Sequence, residues 1–397
     1  MIPRRWVQMD PGELAGVARG LHAEGVPDEG IVAQWEETLA QYVGVPYAAA
    51  VNSGRRGMAL IFDHLGLGAG DEVIIPAYTL GDLVPLIQAF GAKVVCADTD
   101  PGTLNLTPET VEARMTPRTK AILVLHAFGA PCAIERIAAS GARHGIPVIE
   151  DCAHSLGATS QGKQTGSFGY AAFFSFETTK PVNTFGGGMV VTRDAALIQH
   201  IRQKTAKDAH DLSSVSQKLR ATRTEQRLFI TRLGFPFLYL LATPSLKGLM
   251  NRVYRSVGQH APPSTVRYSP VQAQLGLRKI ATLPERIELR KHRAERLRSL
   301  LKPTIRTQQL EEGTESTWYF FVATLPRPVA PIRKKLLLRG IDAGVENEIA
   351  DDCAALLGYA DCPNVARVFS HAIALPMYDG IPEKSLARVA RALNALV

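Results

Sequence analysis

Two ionisable side chains stand out by what surrounds them. Asp151 closes the run Ile146-Pro147-Val148-Ile149-Glu150, and Lys180 follows a second apolar run, Ala171 to Phe176. Three glycines, Gly186 to Gly188, come next, and then Met189-Val190-Val191-Thr192. Burying a lone carboxylate or ammonium is costly. Just past the ends of buried strands, however, is where open α/β sheets hold their ligands. An acid and a lysine about 30 residues apart on neighbouring strand ends suit pyridoxal phosphate. The lysine forms a Schiff base with its aldehyde, and the acid pairs with its pyridine nitrogen. The plainer reading makes Asp151 a helix cap and Lys180 a solvated loop residue.

The neighbouring residues decide between the two. Glu150-Asp151-Cys152-Ala153-His154, Gly166-Ser167-Phe168-Gly169, Phe174-Ser175-Phe176, Lys180 and Gly186-Gly187-Gly188 follow one another in a known order and spacing. On these residues the chain resembles the DegT–StrS family of pyridoxal-phosphate-dependent sugar aminotransferases. A weaker resemblance runs from about residue 30 to the C-terminus. It implies an α/β chain of the fold-type-I aminotransferase architecture: a large domain with a mostly parallel seven-stranded sheet, and a smaller C-terminal α/β domain. It also implies catalytic roles for Lys180 and Asp151. His154 would bond the cofactor's phenolic oxygen or stack nearby, and Ser53, Gly54 and Ser175 would hold its phosphate. Relatives that dehydrate sugars carry histidine at the lysine position, so Lys180 implies transamination. The implied activity moves an amino group from glutamate to a keto sugar, nucleotide-linked, in cell-surface polysaccharide, lipid or secondary-metabolite biosynthesis. Two alternatives stay open: a fold-type-I aminotransferase acting on a lipid-linked or other ketone, and a non-catalytic family member with a regulatory role.

The chain departs from the family pattern at three cofactor positions. Tyr47 to Val51 feed a helix through Ser53 and Gly54, and N–H groups at such a start bind phosphate. The family's threonine in this turn is Arg55 here, which adds a phosphate contact or projects elsewhere. Leu80 replaces the aromatic residue that stacks on the pyridine ring, so it covers the ring by apolar contact or Tyr78 acts instead. Thr265, ahead of Val266-Arg267, replaces an asparagine that contacts the cofactor phosphate of a partner subunit, and a hydroxyl can still donate there. The implied assembly is a homodimer with shared active sites. His126 takes a supporting role. The segment Ala343 to Ile349 does not match the family's sugar-site segment.

The whole chain must position these residues. Its 397 residues are 46% apolar and 21% charged, an ordinary globular balance. A β–α–β rhythm from 47 to 192 predicts a mostly parallel sheet flanked by helices. Residues 1–265 are expected to form the large cofactor-binding domain, with an insertion at about 208–262, and 266–397 the small one. No apolar run approaches the ~20 residues needed to span a bilayer, and the basic N-terminus has no apolar stretch behind it. A cytoplasmic location is expected. The five cysteines, at 96, 132, 152, 353 and 362, have no metal-ligand spacing and suit reduced, buried thiols, so no metal is expected.

The net charge of +8 is local: residues 200–256 hold 11 Lys/Arg against 3 Asp/Glu, a difference equal to the whole. Within the insertion, apolar residues alternate with arginines, and Pro236 and Pro244 interrupt any helix. Short amphipathic pieces of this kind can lie on an anionic membrane. The alternative is a flap packed on the dimer or over the active site. Aromatic stacking platforms are sparse there, so nucleic-acid binding is not expected. Flotation with anionic liposomes tests the membrane role. On the membrane reading the full chain floats and a chain lacking 210–260 stays behind; equal behaviour of the two removes the idea.

Overall fold

The structure is a computed structural model that describes residues 1–7, 29–224 and 265–397. Most of the basic insertion, 225–264, lies outside the described residues. The larger sheet has seven strands: β1 (Tyr47–Val51), β2 (Glu72–Pro76), β3 (Lys93–Ala97), β4 (Thr119–Leu125), β5 (Val148–Asp151), β6 (Ala171–Ser175) and β7 (Gly188–Thr192). Their spatial order is β1-β7-β6-β5-β4-β2-β3. Every neighbouring pair is parallel except the two made by β7. Strands covered by helices on both faces read as continuous apolar runs, and Ile74, Ile122, Val124 and Ile149 are fully buried.

Alternate residues of each strand face opposite sides. Leu123, Ile149 and Phe173 pack with Met58 and Ile61 of the helix Gly54–His64. Ile122, Val124 and Val148 pack with Ile134 and Ile137 of the helix Ile134–Arg143. Trp35 and Leu39 of the helix Glu29–Val43 cover Phe174, Met189 and Val191. The helix Pro270–Ala281 shares that last core through Ala273 and Ile280.

A second sheet holds β8 (Arg306–Thr307), β9 (Phe321–Thr324), β10 (Gly344–Val345) and β11 (Ala372–Leu375) in the order β8-β9-β11-β10, all antiparallel. Its core includes Leu386 and Val389 of the helix Glu383–Asn394, and Ala294 and Leu297 of the helix Leu283–Leu300. Ile2 joins this core from the start of the chain. Its N–H donates to the Gly340 carbonyl at 2.8 Å, and its carbonyl accepts from Asp342 at 3.0 Å. The five cysteines are free and buried. Among the described residues no helix is long and apolar enough to cross a membrane.

The glycine run before β7 is a packing requirement. Gly187 has φ +95°, and a Cβ on Gly188 would lie 2.6 Å from both the Gly54 nitrogen and the Phe174 carbonyl oxygen. Those atoms are backbone and cannot swing aside. Gly188→Ala is therefore expected to lower unfolding free energy by about 1–3 kcal/mol. Urea unfolding checks this, and an unchanged midpoint would contradict the packing argument.

Candidate active site

β5 ends in two consecutive carboxylates, and the pleat sends them to opposite faces. Glu150 accepts three backbone N–H groups, from Gly166 at 2.8 Å, Phe168 at 2.9 Å and Gly169 at 2.7 Å, and lies 3.1 Å from His126 Nε2. Burial opposes its charge, yet His126 and the N–H groups hold its carboxyl below the usual range. Cys152 lies within 4.8 Å of this pair, as a metal site would require. The Glu150 oxygens are already taken by backbone donors, so the cluster serves to fold the Gly166–Gly169 turn. Asp151 is treated differently. It is buried and accepts from the Ala153 N–H at 2.9 Å. Burial pushes its carboxyl up to about 6, against the pull of that N–H and of the Lys180 and His126 charges.

Lys180 sits in a loop that closes on one carbonyl. The N–H groups of Thr184 and Gly186 both donate to the Phe176 oxygen, at 3.0 and 3.1 Å. The Lys180 N–H donates to Glu177 at 2.8 Å, and the Glu177 carboxylate pairs with Lys218 at 2.6 Å. Lys218 lies on the helix Ser213–Thr224, the described start of the insertion, whose Val215 and Leu219 pack on Phe185. The Lys180 ammonium stands 4.6 Å from the centre of the Tyr319 ring, a cation–π distance. Tyr319 stacks on His154 with centroids 4.5 Å apart and bonds Thr179 Oγ1 at 3.0 Å.

His154 is thus sandwiched in aromatic surroundings, with Phe128 also stacked on it at 6.2 Å. Phe128 reaches that position with φ +60°, a strained conformation for a bulky residue. Burial, and then the Lys180 charge, push the His154 imidazole well below its ordinary range, so it is neutral near pH 7. Its Nδ1 is buried and has no partner among the described residues. A buried polar atom left unpaired is costly, and such an atom beside a lysine and an acid fits a ligand that completes it.

The phosphate candidates also converge. Ser53 caps the helix Gly54–His64 by accepting the Arg56 N–H at 3.1 Å. A Cβ on Gly54 would stand 3.4 Å from that of Ser175, so this helix start abuts the end of β6. Arg55 projects toward Asp82, with Nη1 3.3 Å from the carboxylate. Leu80 is 44% exposed. Tyr78 is buried, meets Phe128 edge-on at 5.9 Å, and has a hydroxyl without a partner among the described residues. Thr265 is exposed, and its carbonyl accepts from Ala209 at 2.9 Å. Among the described residues no contact links it to Asp151 or Lys180.

The sequence reading missed Tyr319, Phe128 and a node around Asp379. A recess beside Lys180 is lined by Trp6, Val7, Asn183, Arg286, Arg290 and Asp379. Arg286 pairs with one Asp379 oxygen and Arg290 with the other. The apolar run containing Tyr319 was visible in the sequence, but not that one of its rings lies under the lysine.

A parallel sheet, a lysine and an acid at adjacent strand ends, and a glycine-lined helix start define an enzyme of the fold-type-I aminotransferase class. The chain belongs to the DegT/DnrJ/EryC1/StrS aminotransferase family, whose sequence model matches residues 29–394. It is 32% identical over 330 residues to the L-glutamine:2-deoxy-scyllo-inosose aminotransferase of Streptomyces fradiae, covering 81% of this chain and 70% of that protein. It is 40% identical over 171 residues to the GDP-perosamine synthase of Caulobacter vibrioides, covering 43% of this chain and 46%, less than half, of that protein. The aminotransferase TlmJ of Streptoalloteichus hindustanus shares the fold, with a TM-score of 0.81 at 23% identity over 100% of this chain and 98% of its own.

The raised carboxyl of Asp151 has a measurable sign. A native value of about 6 above the ordinary 3.8 adds stability below pH ~4 that is lost as pH rises through 6. Without cofactor, wild type is expected to weaken relative to Asp151→Asn by up to about 3 kcal/mol between pH 4 and 8. Urea unfolding of both proteins at each pH checks it; parallel pH profiles would refute the assignment.

Proposed function

We propose that this chain is a pyridoxal-phosphate-dependent aminotransferase that moves an amino group from glutamate to a keto sugar carried on a nucleotide. One observation carries the reading: the Lys180 charge acts on two buried groups, the raised carboxyl of Asp151 and the His154 imidazole, whose Nδ1 has no partner among the described residues. Bound pyridoxal phosphate supplies an aldehyde for the lysine and a ring that accepts electrons from the reacting carbon.

The remaining work falls to the protein. Asp151, in low dielectric with an N–H donor, is matched to a protonated ring nitrogen, which would restore its carboxyl to the ionised range. His154 offers its neutral Nδ1 to the phenolic oxygen. Ser53 and Gly54, at the start of their helix, and Ser175, at the end of β6, would hold the phosphate. Arg55, already engaged with Asp82, adds positive charge beside it, and Leu80 gives apolar cover. In a homodimer Thr265 would serve the partner's phosphate. The free Lys180 amine takes the proton from the donor α-carbon and later returns one to the acceptor carbon. The Tyr319 ring beneath the amine keeps it aimed while it changes charge.

Support for the substrates comes from the relatives' names: one carries a GDP-linked product and the other an L-glutamine donor. A lipid-linked ketone is the second reading. Lys218 favours it, by tying the basic insertion to the loop that carries Lys180.

With cofactor, the wild type is expected to show a visible absorption band that L-glutamate discharges. Lys180→Ala should lose turnover by about 10³-fold or more. A panel of nucleotide-linked keto sugars and lipid-linked ketones then separates the two substrate readings. If borohydride reduction of cofactor-saturated protein leaves the Lys180 peptide unmodified by mass, the proposal falls.

A further inference from the structure

Gln272, Lys279, Arg286 and Arg293 are spaced seven residues apart. The helices Pro270–Ala281 and Leu283–Leu300 follow each other with Thr282 between them. Seven residues are about two helical turns, so the four side chains form one stripe. Each of them has a partner in the stretch after Lys180 or at Asp379. Gln272 donates to the carbonyls of Thr184 at 3.3 Å and Gly186 at 3.1 Å. Lys279 donates to Asn183 Oδ1 at 3.0 Å. Arg286 Nη2 donates to the Pro181 carbonyl at 2.8 Å, while its Nε bonds the Asp379 carboxylate. Arg293 donates to the Asp379 backbone carbonyl.

Asp379 ties this stripe to the other side of the lysine. Arg290 takes its second oxygen and reaches the Trp318 carbonyl at 3.4 Å. Trp318 immediately precedes Tyr319, whose ring carries the Lys180 ammonium. The node therefore grips the backbone just after Lys180 and the backbone just before the ring under its amine. Arginine suits 286 because two of its nitrogens donate to two separated acceptors, whereas a lysine's donors all leave from a single nitrogen.

We propose that Arg286, oriented by Asp379, is a positioning residue that sets Lys180 in register with Tyr319. This rests on the reading of Lys180 as the catalytic lysine. The node acts through that lysine, so its loss shows in the chemical step. A displacement of about 1 Å at a reacting group can cost up to about 100-fold in rate.

In cofactor-loaded Arg286→Gln, kcat is expected to fall about 10- to 100-fold while KM for the donor stays within about twofold. Arg286→Lys should recover only part of the loss, and Asp379→Asn should reproduce it. In cofactor-free Arg286→Gln, hydrogen exchange at 182–187 should speed up relative to wild type while β2, β4 and β5 exchange unchanged. Should Arg286→Gln fail to fold, Asp379→Asn decides by the same two measurements. Wild-type kcat with wild-type exchange in the variants would overturn the inference. So would a rise in KM at unchanged kcat, which would make Arg286 a substrate contact. A wild type that takes up no cofactor defeats the proposed function instead.

Discussion

The strand β5 ends by burying two carboxylates side by side, and only one of them is neutralised. Glu150 receives three N–H donors and His126, which fixes the turn from Gly166 to Gly169. Asp151 accepts the Ala153 N–H and stays short of a counter-charge. Desolvation makes an unmatched carboxylate expensive, so the site favours any ligand that brings a cation to that face. The parallel sheet makes this arrangement rigid, since β5 is flanked on both sides by largely buried strands.

The second constraint is backbone crowding. Ser53, Gly54, Ser175 and Gly188 meet where a helix start, the end of β6 and the start of β7 converge. Glycine at 188 lets the helix N-terminus approach to within contact of the strand. The lysine loop then spans the gap between β6 and β7, so Lys180 is anchored at both ends by strands. Aromatic stacking joins Tyr319, two residues before β9, to His154 and through it to Phe128.

Much of the larger sheet was legible because its strands are short, apolar and followed by residues that cannot be buried alone. Asp151 and Lys180 stood out by position relative to those runs, but only the family motif around them pointed to a cofactor role. The small-domain contributions were not legible in the same way. Tyr319 lies 140 residues beyond Thr179, its hydrogen-bond partner, and no local pattern ties one to the other. Arg55 turned to Asp82 through a tertiary ion pair that the turn motif does not encode. A signal for the Asp379 node did exist, in the sevenfold spacing of Gln272, Lys279, Arg286 and Arg293. It reads as an ordinary charged helix face until the partner loop is known.

The Asp379 node also constrains how the chain can change over generations. Removing the carboxylate alone leaves two neighbouring guanidinium groups, that of Arg290 buried, without their anion, whereas removing one arginine leaves one cation paired with one anion. The order of loss therefore matters, since an arginine leaves at a lower electrostatic cost than the carboxylate does. A chain drifting away from this node is therefore expected to give up an arginine first and Asp379 last.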